Sequence, residues 1–189
     1  MKFFNEYYKE SVKKLLTAAE KDLELAKNMC GTLADVITVE KEYRIAIGAS
    51  IGVSVQNVIT PTMDDARAVI WYLKKNGGGN ITFIPVDTVA RKVNSEEVEQ
   101  AVEETGALGL ATKLVQYDPY YENAVFYFLG NTLVCDTIDN ATVIAKKYPH
   151  RFKIVTLDGD VIKVDGTVVG GETQKKWEII FDDISDKVD

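Results

Sequence analysis

The sequence predicts a mixed α+β fold in which two similar β-α-β-α-β halves lie between two coiled-coil helices. Three observations support this prediction: apolar residues at heptad spacing near both ends, an internal repeat between them, and alternating strand-like and helix-like segments within each repeat. The same patterns place helical segments at 1–30 and 172–189, subdomains at 31–95 and 110–171, and a linker with a short helix at 96–109.

The first and last elements are predicted helices. Residues 3–30 form one predicted helix whose apolar positions alternate spacings of four and three, as in the seam of a coiled coil. The seam residues are Val12, Leu16, Ala19, Leu23, Ala26 and Cys30, and Gly31 then ends the helix. The same spacing near the C terminus joins Trp177, Phe181, Ile184 and Val188. A helix packed on the core of its own domain gives the same pattern, so each segment alone leaves both interpretations open.

An internal repeat organises the segment between these helices. Tyr43, Ala46 and Gly52 have the same spacing as Tyr121, Ala124 and Gly130. Further matches pair Asp65-Ala66 with Asn140-Ala141, Lys74-Lys75 with Lys146-Lys147, and Asp87 with Asp158. The repeat therefore predicts two similar subdomains.

Each half alternates strand and helix patterns. The predicted strands are ADVITV, VQNVIT and NITFIPVD in the first half, and LATKLVQY, TLVCD and FKIVTLDGD in the second. The predicted helices are EKEYRIAIGASIG and MDDARAVIWYLKKNG, then DPYYENAVFYFLGN and DNATVIAKKYP. Between the halves, SEEVEQAVEETG is a predicted short helix that Gly106 ends.

Composition limits the classes of protein that the chain can represent. The net charge of −7 argues against a surface that is entirely a nucleic-acid footprint, although it leaves room for a local basic patch. No apolar run has the length of a membrane span and the polar start is unlike a signal peptide, so we expect a cytoplasmic protein without membrane contact. Two cysteines and one histidine are too few for a zinc site, and we expect Cys30 and Cys135 to be buried thiols.

The residues contain no recognisable catalytic set. Gly77-Gly78-Gly79 follow a predicted helix and open a strand, the reverse of a phosphate-binding loop, so a helix terminator is favoured. His150 and Cys135 lack any motif that would bring a nucleophile and a base together. Asp158 and Asp160 flank a glycine and indicate a tight turn.

A second glycine cluster, Gly166, Gly170 and Gly171, follows an apolar strand. Such a cluster indicates turns with positive φ, or close approach of another backbone. The residues alone leave a pair of ordinary turns and contact with a second chain equally open.

The segment from Gly31 to Gly171 resembles the hinge domain of structural maintenance of chromosomes (SMC) proteins. It covers about three quarters of the 189 residues and lies between helices where that family has coiled coils. The matching stretches are GTLADVITVEKEYRIAIGASIG, VQNVITPTMDDARAVIWYLKKN, GGNITFIPVD, LVQYDPYYENAVFYFLGNTLVCDTIDNATVIAKKY, FKIVTLDGDVI and the closing glycines. Asp165 and Val169 depart from the family, which commonly has glycine and a hydroxyl residue there.

The resemblance implies a dimerisation hinge at the end of a long coiled-coil arm. Two copies would join through two interfaces, in each of which the first half of one chain pairs strands with the second half of its partner. The implied interface residues are Gly166, Gly170, Gly171, Val161 and Val164 in the second half, and Gly79, Ile81 and Thr82 in the first. A homodimer is favoured, and a different partner chain stays open.

The resemblance also implies a role on the chromosome, in a cytoplasmic, nucleoid-associated protein. ATP and magnesium would act only at the parent protein's distant head domains, so this chain is expected to be no enzyme and to carry no cofactor. Weak DNA binding is implied for lysines near the arms: Lys13, Lys14, Lys21, Lys27, Lys175 and Lys176. For any individual lysine, a solvated side chain on a coiled-coil face is the favoured interpretation. The alternative from another class is a small-molecule-binding or enzymatic α/β domain with helical extensions.

Overall fold

The structure is a computed structural model that describes residues 7–172 and 175–182. The helices are α1 (Glu10–Lys21), α2 (Leu23–Ala26), α3 (Leu33–Val36), α4 (Arg44–Ile51), α5 (Met63–Lys75), α6 (Glu96–Ala101), α7 (Glu122–Leu129), α8 (Ile138–Lys147) and α9 (Lys176–Ile180). The strands are β1 (Gly31–Thr32), β2 (Ile37–Val39), β3 (Val58–Thr60), β4 (Phe83–Pro85), β5 (Ala107–Leu110), β6 (Val115–Tyr117), β7 (Thr132–Cys135), β8 (Lys153–Thr156), β9 (Val161–Ile162) and β10 (Val168–Val169). Short 3-10 helices occur at Lys41–Tyr43, Gly52–Gln56, Ala111–Lys113 and Pro119–Tyr121. The mixed α+β class predicted from the sequence is confirmed.

The main sheet of each half has two end strands, which pair with a described strand on one side only. In the first half the order is β1-β3-β4, with β4 parallel to β3. In the second half the order is β10-β9-β8-β7-β5, in which β7 and β8 run parallel and the other pairs antiparallel. A two-stranded sheet of β2 and β6 joins the halves. Among the described residues, β4 and β10 are therefore end strands of their sheets.

The predicted repeat is present in the structure. A 3-10 turn that ends at Tyr43 leads into α4, and another that ends at Tyr121 leads into α7. Each is followed by a parallel β-α-β unit, β3-α5-β4 or β7-α8-β8. Thr62 and Thr137 cap the crossover helices at equivalent positions, because each hydroxyl oxygen accepts a hydrogen bond from the backbone N–H three residues later.

The prediction of one continuous helix over 3–30 is wrong at Asp22, where ψ is 100°. The Asp22 carboxylate accepts a hydrogen bond of 3.1 Å from the backbone N–H of Leu25, and this N-cap starts α2. Leu23, a predicted seam residue, is consequently 76% exposed. Heptad spacing alone did not account for an aspartate that caps better than it continues a helix.

The buried residues of α1 pack on this chain's own core. Val12 and Leu16 join the large central cluster, and Leu15 joins a second cluster with Val58 and Leu73. The described part of the seam is therefore a helix packed on its own domain, the alternative that the sequence left open. Ile184 and Val188 of the C-terminal seam lie outside the described residues.

Two further boundaries differ from prediction. The run ADVITV was predicted as a strand throughout, but a capping box of Thr32 and Asp35 starts α3, and the strand begins only at Ile37. β5 begins at Ala107, inside the range predicted as the linker 96–109, and pairs with β7. Among the described residues, no helix combines the length and the apolar character needed to cross a bilayer.

Candidate dimer interface

Gly166 belongs to the turn of the β9–β10 hairpin. Its N–H donates to Lys163 O at 2.9 Å, Lys163 N–H donates to Thr167 O at 2.9 Å, and φ of Gly166 is +91°. This is a three-residue hairpin loop with a glycine bulge. Asp165 stabilises it by accepting hydrogen bonds from the N–H and hydroxyl of Thr167, which lower the pKa of the Asp165 carboxyl. The turn alone explains both the glycine and the departure at Asp165.

The other two glycines follow β10 and differ in their surroundings. A Cβ added at Gly170 would lie 2.5 Å from Asp160 Oδ1, so this glycine closely approaches a side chain of its own chain. Gly171 has φ of +130°, and a Cβ there would meet no described atom within 4 Å. Gly171 is therefore the glycine of these two at which a side chain would meet no described atom.

The outer edge of β10 is a free strand edge, here termed the β10 edge. Val168 faces Ile162 and Val169 faces Val161 across the hairpin. In an antiparallel pair, the backbone groups of successive residues point alternately toward and away from the neighbouring strand. Thr167 O accepts a hydrogen bond from Lys163 N–H and so points to β9. The N–H and C=O of Val168 therefore point outward, and those of Val169 point to β9. Val168 and Val169 are 59% and 47% exposed. The β10 edge therefore combines two exposed valine side chains with the N–H and C=O of Val168, which no described strand pairs.

Val161 and Val164, which the sequence predicted at the interface, lie near the β10 edge but not on it. Val161 is buried in β9, between β8 and β10, so its backbone is already paired within the chain. Val164 is exposed in the hairpin loop. Val168 was not named from the sequence, because a two-residue strand between glycines gives no periodic pattern.

The first half presents a second free edge, here termed the β4 edge. Thr82 O accepts a hydrogen bond of 3.0 Å from Val58 N–H, so Thr82 faces β3. The backbone groups of its neighbours Ile81 and Phe83 face away from β3 by alternation, and Pro85 ends the row of donors because it has no N–H. Predicted residues Ile81 and Thr82 thus flank this edge.

Gly79 lies beside α1 rather than at the β4 edge. A Cβ there would be 3.0 Å from Ser11 Cβ. The next residue, Asn80, accepts hydrogen bonds through its backbone oxygen from Lys9 Nζ and Ser11 Oγ. The glycine run before it ends α5: Gly77 has φ of +63° and Gly78 N–H donates to Leu73 O at 2.9 Å. The predicted helix terminator is confirmed.

The candidate DNA-binding lysines lie in the two terminal segments of the described chain, residues 7–27 and 175–182, here termed the arm roots. Three of them line one shallow face of α1 together with Glu10: Lys13, Lys14 and Lys21. Lys13 lies 3.5 Å from Glu10, and Lys27 lies 2.9 Å from Glu24. In the C-terminal segment Lys175 is exposed, and Lys176 Nζ lies 4.9 Å from the Trp177 ring centroid. The basic residues are interspersed with the carboxylates of Glu10 and Glu24.

Lys153 joins the two halves, a role that no sequence pattern indicated. Its Nζ donates to the backbone oxygen of Ser50 at 3.0 Å, at the C-terminal end of α4. Burial lowers the pKa of Lys153, and the charges of Lys92 and Lys163 lower it further. The ammonium group compensates the carbonyl end of a helix from the other half.

The cysteines and the histidine have structural surroundings. Cys135 is buried and Cys30 half-buried, both are free thiols, and burial raises the pKa of each. His150 is exposed, and its Nδ1 lies 2.8 Å from Val164 O in the hairpin loop. Among the described residues, no three His, Cys, Asp or Glu side chains form a metal-binding group.

Comparison with known proteins places this geometry among SMC hinges. Residues 26–145 match the model of the SMC proteins flexible hinge domain. The chain is 35% identical over 174 residues to the chromosome partition protein Smc of Bacillus subtilis, which covers 92% of this chain and 14% of the relative. The chain therefore spans about one seventh of the length of that relative.

Solved structures agree with the sequence match. An asymmetric dimer of the Geobacillus stearothermophilus SMC hinge domain superposes with a TM-score of 0.80 and 30% identity, covering 97% of this chain and 74% of that one. The Pyrococcus furiosus SMC hinge domain superposes with a TM-score of 0.66 and 27% identity, covering 87% of this chain and 91% of that one.

Proposed function

The chain belongs to the SMC flexible hinge family, and on that premise we propose that it is the homodimerisation hinge of an SMC chromosome-organising protein. In that role it joins two coiled-coil arms at their far ends. The Geobacillus relative is described as a dimer, which supports the same assembly for this chain.

The observation that carries the proposal is the pair of free edges, β4 in one half and β10 in the other. A sheet edge with unpaired N–H and C=O groups is completed by adding a strand from another chain. If β4 of one copy pairs with β10 of a second, the three-stranded and five-stranded sheets become one sheet of eight strands. Two-fold symmetry then forms this junction twice, so each copy leaves neither edge open.

The solution mass tests the proposal. We expect light scattering to give a particle close to twice 21.0 kDa at micromolar concentration. Dilution should then yield a monomer at a concentration set by the dissociation constant. A particle of 21.0 kDa that persists as the protein is concentrated would refute the proposal.

We assign the parent's chemistry to regions outside this chain. ATP and magnesium act at head domains, and the hinge itself is neither an enzyme nor a cofactor-binding domain. A thermal-shift screen with nucleotides and divalent metals checks this, because a ligand specific for the native state raises the melting temperature. A saturable rise of several degrees with any of them would contradict the assignment.

Weak DNA binding is the further role that we assign to the arm roots. The α1 lysines supply it by contacts with phosphates, so its affinity must fall with added salt. Replacing Lys13, Lys14 and Lys21 by glutamine should weaken binding and reduce the salt dependence. An affinity that is unchanged between low and moderate salt would exclude phosphate contacts as its source.

A further inference from the structure

Helix α5 carries exposed apolar side chains on the flank above the β4 edge. Met63 and Ile70 are 58% and 40% exposed. Around the helix they lie to one side of the residues that α5 buries against its sheet, Ala66, Val69 and Leu73. Because β-α-β units are right-handed, this side of the helix faces β4 rather than β1. The backbone N–H of Met63 accordingly donates to Asp87, just after β4, at 3.1 Å. Met63 and Ile70 are termed the α5 flank.

A groove next to the β10 edge has the complementary character. It lies between α8 and the β9–β10 hairpin, with a volume of about 310 Å³. Its apolar lining includes Tyr148, Phe152, Ile162 and Val168, and the basic residues Lys146 and Lys163 lie at its border. His150 supports the hairpin at one end through its hydrogen bond to Val164 O. This surface is termed the α8 groove.

We propose that in the homodimer the α5 flank of one copy packs into the α8 groove of the other. This inference rests on the proposed pairing of β4 with β10 and extends it from the backbone to the side chains. The occupant is a second copy, because the flank and the groove each continue directly from the two edges that the pairing joins.

The handedness of the two crossovers decides which faces meet. Both β3-α5-β4 and β7-α8-β8 are right-handed units. In a sheet ordered β1-β3-β4-β10-β9-β8-β7-β5 across the junction, this places α5 and the partner's α8 on the same face if β4 and β10 pair antiparallel. Parallel pairing places α5 on the opposite face, beside α4. The proposal therefore includes antiparallel pairing.

The opposite face also has a groove, of about 750 Å³, but this groove is bordered by the start of the C-terminal helical segment. After β10 the backbone continues through Gly171 to α9, where Trp177 packs on Gly48 of α4. Trp177 also lines the groove that contains Val169 and Lys163 on that side. A helix that approached along this face would meet Trp177 and α9, whereas on the α8 face the groove beside Val168 is lined by no described helix other than α8 itself.

The spacing of the elements determines which side chains touch. Helix α5 lies over β3 and β4, and α8 lies over β7 and β8, so four strand spacings of about 4.8 Å separate them, or about 19 Å. Packed helices lie only about 8–10 Å apart. The two helices therefore do not touch. Instead, Ile70 reaches over the junction to Val168, and the α8 groove takes up the flank.

Cross-linking with a face-matched control tests the inference. One variant carries Ile70→Cys with Val168→Cys, and its control carries Ile70→Cys with Val169→Cys, because neighbouring residues of β10 point to opposite faces. A short bismaleimide is added at a concentration where wild type is dimeric. We expect a covalent dimer from the first variant, none from the control, and none from wild type, whose Cys135 is buried and Cys30 half-buried.

A second experiment measures the contribution of the flank to affinity. Ile70→Lys should raise the dimer dissociation constant at least tenfold, since it places a positive charge against apolar side chains in a groove that Lys146 and Lys163 also line. Val143→Lys is the matched control, because Val143 is also exposed on a helix but lies outside the α8 groove. We expect it to leave the dissociation constant unchanged.

The remaining outcomes separate this inference from the proposed function. A covalent dimer from the Val169 control in place of the Val168 variant would place α5 on the other face and overturn the inference. So would the absence of cross-links from both variants while light scattering still finds dimers, and in that case the proposed dimerisation stands. A wild-type protein that is monomeric at all concentrations would overturn both.

Discussion

Replacing Val168 by proline tests the β10 edge by removing a single backbone hydrogen-bond donor. The N–H of Val168 points away from β9, so proline removes a hydrogen-bond donor that no described neighbour in the chain uses. Proline is tolerated on edge strands in this orientation. The hairpin should therefore stay folded while the junction with a second copy is lost.

The magnitude follows from the symmetry of the dimer. Each junction loses one backbone hydrogen bond of about 0.5–1.5 kcal/mol, and the dimer contains two junctions. The loss of about 1–3 kcal/mol corresponds to an increase of about 5- to 150-fold in the dissociation constant. The proline ring also occupies the space that the added strand needs, so the upper part of this range is expected.

Sedimentation equilibrium measures the dissociation constant, and hydrogen exchange at the Val161 amide reports whether the hairpin is intact. Val168→Ala is the control that keeps the N–H and removes most of the side chain. Val169→Pro should instead weaken the hairpin itself, because Val169 pairs with Val161. If Val168→Pro dimerises as tightly as wild type with the hairpin protected, β10 is not the strand that pairs.

Two further predictions concern stability. Gly48→Ala should destabilise the fold by about 1–3 kcal/mol in urea unfolding, because the added Cβ would lie 2.5 Å from Trp177 Cβ in a packed interior; an unchanged midpoint would show that Trp177 moves freely. Burial raises the pKa of Tyr8 to about 12, so between the ordinary value of 10.0 and about 12 the folded state keeps a proton that the unfolded state releases. The free energy of unfolding should therefore fall as pH rises through that window. It should fall less in Tyr8→Phe, which at neutral pH loses the 3.0 Å hydrogen bond to Thr32. Equal slopes of unfolding free energy against pH in the two proteins would contradict this account.

The sequence predicted those parts of the fold that depend on local periodicity. The β-α-β units around α5 and α8 were recognised because a helix of ten or more residues between two short apolar runs repeats its pattern several times. The break at Asp22 was missed because one side chain decides between capping and continuing a helix. The seam through Val12 and Leu16 could not reveal its partner, because the same spacing suits a second helix and the domain's own core.

The site was less predictable than the fold, because its key features are properties of pairing. The glycine cluster drew attention to the β9–β10 segment, where Gly166 serves the turn and Gly170 lies close to Asp160 of the same chain. The free edge at Val168 exists only because β9 pairs on both sides and β10 on one. The contact of Lys153 with Ser50 joins residues from different halves of the chain, a distance over which no sequence pattern extends.

Both arm roots are anchored on the first half, which determines how the proposed dimer would carry load. At the N-terminal root, Tyr8 Oη lies 3.0 Å from Thr32 Oγ1, and Lys9 N–H donates to Gln56 at 2.7 Å. At the C-terminal root, Arg44 of α4 lies 2.5 Å from Asp182.

A pull along either arm therefore enters the molecule at α4 and the β1-β3-β4 sheet. In the proposed dimer it leaves through the β4 edge into the partner's second half. Within one chain the second half receives that load through the β2–β6 pair, the Lys153–Ser50 contact and the central hydrophobic cluster that both halves share. The first half thus holds both arm roots and the β4 edge, whereas the second half holds the β10 edge, so a weakened contact between the halves would uncouple the two junctions of the proposed dimer without changing either edge.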